Sequence, residues 1–205
     1  MGYSKAVSKS VDVGGVPFVY RELGPATGVP LLFLNHITAV LDDWDPAVVD
    51  GFAAERHVLL VDLRGVGGSG GTTPDSIEAM AVDAVAFVET LGLGTVDLLG
   101  FSLGGMVAQE FVQQRPDLVR RVILAGTSPA GDEGVADWGA KLQAAFAKAS
   151  AEGKHPKHSL FSVNSFHLAW LLPDANLAVH PDSGHGGIFQ HHARFVEQGL
   201  EFLRG

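Results

Sequence analysis

An α/β fold, with a mostly parallel central sheet and helices on both faces, is predicted by three features of this 205-residue sequence. Four continuous apolar runs, PLLFLNH (30–36), HVLLVDLR (57–64), TVDLLGF (95–101) and RRVILAG (120–126), read as strands buried on both faces. Helical apolar stripes alternate with these runs almost without interruption. The 26 glycines gather at strand ends rather than in tracts, which signals many tight turns. In such sheets ligands bind beyond the carboxyl ends of the strands, so the loops after the four runs are the place to look for chemistry.

The elements follow in order. VSKSVDV and VPFVYREL flank Gly14-Gly15 and read as a hairpin of two short strands. After the first two long strands, IEAMAVDAVAFVETLG (77–92) carries apolar residues at Ile77, Ala81, Ala84, Val85, Val88 and Leu91, a helical stripe closed by Gly92. TVDLLGF runs into GGMVAQEFVQQRPDLV, a helix broken at Pro116, and RRVILAG is the next strand. Val135, Trp138, Leu142, Ala145, Phe146 and Ala149 form a further helical stripe. SVNSFHLAWLL (162–172) reads as a short helix, NLAVHPD (176–182) as a strand and IFQHHARFVEQGLEFL (188–203) as a terminal helix. One domain over residues 1–205 is expected.

Composition narrows the partners. The net charge of −9 disfavours nucleic acid and anionic membranes. With no cysteine, disulfides, thiolate metal sites and thiol nucleophiles drop out. MGYSKAVSKSVDVGG lacks the apolar stretch of a secretory signal, and no apolar run approaches the roughly 20 residues that cross a bilayer. A cytoplasmic protein is the expectation.

Gly65-Val66-Gly67-Gly68-Ser69-Gly70 fits a dinucleotide fingerprint but sits in the wrong context. Gly71-Thr72-Thr73-Pro74-Asp75 separates it from the next helix, whose N-cap would be Asp75 or Ser76, and the following strand ends without an acidic residue. A structural loop is expected, and no cofactor.

Gly100-Phe101-Ser102-Leu103-Gly104-Gly105 matches G-x-S-x-G and joins a buried strand directly to a helix. A nucleophile elbow needs this setting, because the serine must stand on a turn sharp enough to lift its hydroxyl above the sheet. Glycines on either side remove side chains that would collide there, and the Leu103 amide faces a helix mouth that favours a developing oxyanion.

With GFSLGG in place, the order of LNH, DLRGVGGSG and GHGG around it resembles the α/β-hydrolase family over residues 10 to 204. The resemblance implies Ser102 as nucleophile and His185, in the loop before the terminal helix, as general base. It implies a second oxyanion amide after Asn35-His36, from Thr38 by position, with Ile37 as the neighbouring candidate. Ile37 stands where the family usually has glycine, and a β-branched residue does not take positive φ cheaply. His36 is expected to fix this loop by hydrogen bonding.

The acid that should orient His185 is not evident. No apolar strand ending in Asp or Glu precedes the 162–172 helix, and the segment after VILAG is short for a helical lid. The chain therefore reads as a minimal member without a cap domain and without the strand that carries the acid. Asp132 and Glu133, after the VILAG strand, are candidates. So is Asp182, although a three-residue separation rarely lets a side chain reach back to Nδ1. A carbonyl or a water, or no group at all, is the remaining alternative.

The implied activity is hydrolysis of a small-molecule carboxylic ester, with perhydrolysis or lactone opening as variants on the same groups. A catalytically silent member that binds a small ligand or a protein is the competing reading. With a strand absent, NLAVH should pair beside RRVILAG or leave a sheet edge open to homodimer formation.

Overall fold

The computed structural model describes residues 2–128, 172, 175–180 and 182–205. Six strands form one sheet in the order β1-β2-β4-β3-β5-β6. They are β1 (Lys9–Val13), β2 (Val16–Leu23), β3 (Leu31–Leu34), β4 (Val58–Val61), β5 (Val96–Phe101) and β6 (Val119–Ala125). β1, β2 and β4 pair antiparallel, while the β4-β3-β5-β6 half is parallel.

Alternation explains why the long strands read as unbroken apolar runs. Leu31, Phe33, Val58, Leu60, Leu99 and Phe101 point to one face. Leu32, Leu34, Leu59, Val61, Val96 and Leu98 point to the other. Successive side chains leave a strand on opposite sides, so a sheet covered twice needs apolar residues at every position.

The first face is covered by α1 (Pro46–Ala53) and α5 (His192–Arg204), through Val48, Val49 and Phe52 against Phe195, Val196, Leu200 and Leu203. The second is covered by α2 (Ile77–Thr90) and α3 (Leu103–Gln114), through Ala81, Ala84, Val88, Val107, Ala108 and Phe111. A short helix, α4 (Gly187–Gln190), precedes α5. The hairpin turn has positive φ at both Gly14 and Gly15, and the Asp12 carboxylate accepts the Gly15 amide at 2.9 Å. Ser76, not Asp75, caps α2, its hydroxyl accepting the Ala79 amide at 3.2 Å.

At the end of the sheet opposite the strand carboxyl ends, Asp97 is fully buried in β5. Arg120 donates to its two oxygens at 2.9 and 2.6 Å, and Arg56 donates to one at 2.7 Å. Arg120 also reaches the Leu203 carbonyl at 2.8 Å, and Arg121 reaches that of Phe202 at 2.6 Å. The last carbonyls of α5 are thus held by the strand beneath them.

Two expectations need correction. α1 was not foreseen, though Asp45 caps it and Pro46 opens it. The expected NLAVHPD strand does not form: residues 175–180 carry no strand, and 175–179 are exposed. Leu177 and Val179 alternate as a strand would, but at 40% and 56% exposure they are not packed on the sheet, and Pro181 cannot donate to a ladder. β6 has no outer neighbour among the described residues. The expected helices over 135–149 and 162–172, all but Leu172, lie outside those residues, as do Asp132 and Glu133.

Candidate active site

Ser102 stands at the junction of β5 and α3 with φ 55° and ψ −115°, a conformation L-residues rarely adopt. Its backbone is pinned from both sides. The Ser102 amide donates to the Ala125 carbonyl at 2.9 Å, and its own carbonyl accepts the Thr127 hydroxyl at 2.7 Å. These bonds extend the β5–β6 pairing past the end of the strands, so the sheet itself holds the strained residue. Leu103 is the first residue of α3, so its amide has no acceptor within the helix.

The elbow glycines answer to close approaches. A Cβ on Gly100 would lie 2.4 Å from the Gly104 carbonyl oxygen, across the turn as expected. A Cβ on Gly104 would meet the Leu34 oxygen at 2.1 Å, so that glycine serves contact with the end of β3 rather than the turn. This approach sets the start of α3 beside the loop that leaves β3.

That loop is tied down by short-range polar contacts. The Asn35 side chain accepts the Trp44 indole N–H at 2.5 Å and donates to the carbonyls of Ala39 and Val61. His36 Nδ1 lies 2.8 Å from the Ile37 carbonyl, matching the expected loop-fixing role. Asp62, buried after β4, accepts the amides of Leu41 at 2.9 Å and Gly68 at 3.1 Å. Burial pushes the Asp62 carboxyl above its usual range, against the pull of those two amides.

The glycine-rich loop is committed to this scaffold. Gly70 donates to Pro17, and Ser69 accepts the Val19 amide at 2.8 Å. A cavity of about 250 Å³ opens beside Asp62, Gly68, Arg21 and Leu41 at the β2–β4 side, and neither Ser102 nor His185 lines it.

The question over Ile37 is answered by a shift of one residue. Ile37 has an ordinary φ; Thr38 takes the positive value, 66°. A β-branched residue there is strained by about 1–2 kcal/mol. Thr38→Gly is therefore expected to raise stability by about 1 kcal/mol, read as a higher urea midpoint at unchanged slope.

His185 lies in the turn before α4, and its ring stacks on Phe101, the residue before Ser102, with centroids 4.9 Å apart and planes 27° off parallel. His36 meets the same phenyl edge-on at 5.3 Å, which brings the β3 loop, the elbow and the C-terminal turn together around one ring. A Cβ added at Gly126, just past β6, would lie 3.1 Å from His185 Nδ1 and 3.1 Å from Phe101. The Nδ1 side of the imidazole therefore faces the end of β6, the strand that Asp132 and Glu133 follow in sequence. Burial, and secondarily the charge of His36, lower the His185 pKa to about 4. Asp182 is exposed with φ 60°, a turn conformation.

Sequence reasoning missed Phe101, Gly126 and Thr127. GFSLGG points to its serine and glycines, and RRVILAG reads only as a strand ending at Gly126; neither pattern says which ring will land on Phe101. Among the described residues no group of three or more His, Cys, Asp or Glu side chains is arranged to hold a metal ion. No described helix is long and apolar enough to cross a membrane.

Residues 29–178 match the family model described as the alpha/beta hydrolase fold. The chain belongs to the α/β-hydrolase fold family. Among its relatives in this family is the mouse sn-1-specific diacylglycerol lipase ABHD11, 33% identical over 127 residues, which are 60% of this chain and 41% of that protein. Another is the non-heme chloroperoxidase of Streptomyces lividans, 29% identical over 117 residues, covering 56% of this chain and 42% of that one. The alignments thus span about two-fifths of each relative's length. An alpha/beta hydrolase fold protein from Chitinophaga pinensis superposes over 99% of both chains, with a TM-score of 0.87 and 28% identity.

Proposed function

We propose that this α/β-hydrolase-fold chain is a serine hydrolase of small carboxylic esters. The reading is carried by the strained Ser102 elbow, with the His185 ring stacked on the neighbouring residue Phe101.

In this reading the Ser102 Oγ attacks the ester carbonyl carbon and His185 Nε2 takes its proton. The electron pair displaced onto oxygen is held by the amides of Leu103 and Thr38. Collapse of the tetrahedral intermediate breaks the bond to the alcohol, which leaves with the proton from the imidazolium. Water then repeats the sequence on the acyl-enzyme and releases the acid. An acceptor on the Nδ1 side would come from beyond β6, in keeping with Asp132 or Glu133.

The test is covalent labelling. A fluorophosphonate should modify the wild-type protein at Ser102 and leave Ser102→Ala untouched. Well-folded wild-type protein that resists the label would favour the ligand-binding reading instead.

A pH profile follows from the state of His185. Its folded pKa, about 4, lies below the ordinary 6.5, so the native state favours the neutral ring. Its contribution to stability is whole above pH 6.5 and is lost as pH falls toward 4. Since the base works when neutral, kcat/KM should stay level below neutral pH and drop only near pH 4. An acid limb between 6 and 7 would contradict this arrangement.

A further inference from the structure

We propose that Phe101 is a positioning residue for His185, its phenyl face setting the plane of the imidazole that serves Ser102. The inference rests on the serine hydrolase reading and extends it to a residue that the elbow pattern leaves unspecified.

Four observations converge on it. Phe101 is the last residue of β5 and 2% exposed, so its own position is fixed by the sheet. Its ring is held by neighbours on several sides: Phe189 at 5.2 Å and His36 at 5.3 Å edge-on, and Trp44 at 6.3 Å. The imidazole lies stacked on the phenyl at 4.9 Å, unlike the edge-on contacts of Phe189 and His36. Gly126 lies close beside both rings, since a Cβ there would approach each at 3.1 Å.

The physical consequence is a restriction of rotation. An imidazole on a loop can swing about two side-chain torsions, and an orienting group at Nδ1 restrains the ring chiefly through one atom. A flat aromatic face restrains its tilt. The nucleophile and its base are thereby coupled through adjacent residues of one strand: Phe101 carries the ring plane and Ser102 carries the hydroxyl. A displacement of the base by about 1 Å costs on the order of a hundredfold in rate.

Phe101→Leu keeps an apolar side chain of similar reach and removes the flat face. It should lower kcat/KM for a short-chain nitrophenyl ester by about tenfold or more. The acid limb should move up toward the ordinary imidazole range, because a ring no longer held flat against the phenyl face swings toward water and loses the burial that lowers its pKa. Phe101→Tyr, which keeps the face, should restore most of the rate. Leu and Tyr variants impaired alike, or a Leu variant with unchanged rate and acid limb, would overturn the proposal.

Ring NMR of His185 separates this from the hydrolase reading, because it needs no turnover. In the wild type, the His185 ring protons should show upfield ring-current shifts and cross-relaxation with Phe101, and their titration should move upward in Phe101→Leu. Absence of those wild-type signals overturns the positioning role even if the Leu variant does not fold. Their presence in protein that neither labels at Ser102 nor turns over ester would uphold the stacking and refute the hydrolase reading.

Discussion

Under the proposed serine hydrolase reading, Ser102→Ala is expected to lower ester turnover by a factor on the order of 10⁶, as removal of a nucleophilic serine from an intact site does. Residual rate would come from the oxyanion amides and from binding. The same position should also reveal stored strain. With φ at 55°, any residue with a Cβ is held at a cost of about 1–3 kcal/mol, and alanine keeps the Cβ. Ser102→Gly should therefore be the more stable variant by about 1 kcal/mol, even after the 0.5–1 kcal/mol that glycine loses to backbone entropy. Parallel urea melts and turnover assays on the two variants check both halves. A glycine variant no more stable than the alanine one would show that the elbow is relaxed.

Asp97→Ala should be among the most damaging substitutions in the chain for stability. The carboxylate is fully buried and answers two guanidiniums, from Arg56 before β4 and Arg120 in β6. Removing one member of a buried ion network leaves the others without their counter-charge, at about 3–5 kcal/mol. For a chain of this length each kcal/mol moves the melting temperature by about 2–4 °C. A fall of roughly 6–20 °C follows. Arg120 also holds the Leu203 carbonyl, so the C-terminal end of α5 should loosen first, visible as faster amide exchange there. Because Asp97 sits at the opposite end of β5 from Ser102, kcat/KM of the folded fraction should change little. A large fall in kcat/KM at a temperature where the variant remains folded would contradict that separation.

Most of the fold was legible because its signals are local. A strand buried on both faces must be apolar throughout, and PLLFL and HVLLV are; a helix against a sheet must show a stripe, and residues 77–91 do. Ser102 was legible for the same reason: strand, glycine, serine, glycine and helix are contiguous. Where the local signal was short or ambiguous, the reading failed. α1 has eight residues, too few for its one buried face of Val48, Val49 and Phe52 to repeat, and only Asp45-Pro46 announced it. NLAVH alternates like a strand, yet alternation stabilises nothing unless a sheet accepts the pairing.

The chain's own pattern was therefore enough for the sheet, its two helical layers, and the serine that stands on the strand-to-helix turn. Tertiary structure decided the rest. It left Ile37 with an ordinary φ and put the positive one at Thr38, made Gly104 a contact for β3, joined Asp97 to arginines from two other segments, and laid His185 on Phe101. The division has one cause. Backbone periodicity and turn chemistry are written in neighbouring residues, whereas a ring stacked on another ring depends on where strands, loops and termini meet after the chain has folded.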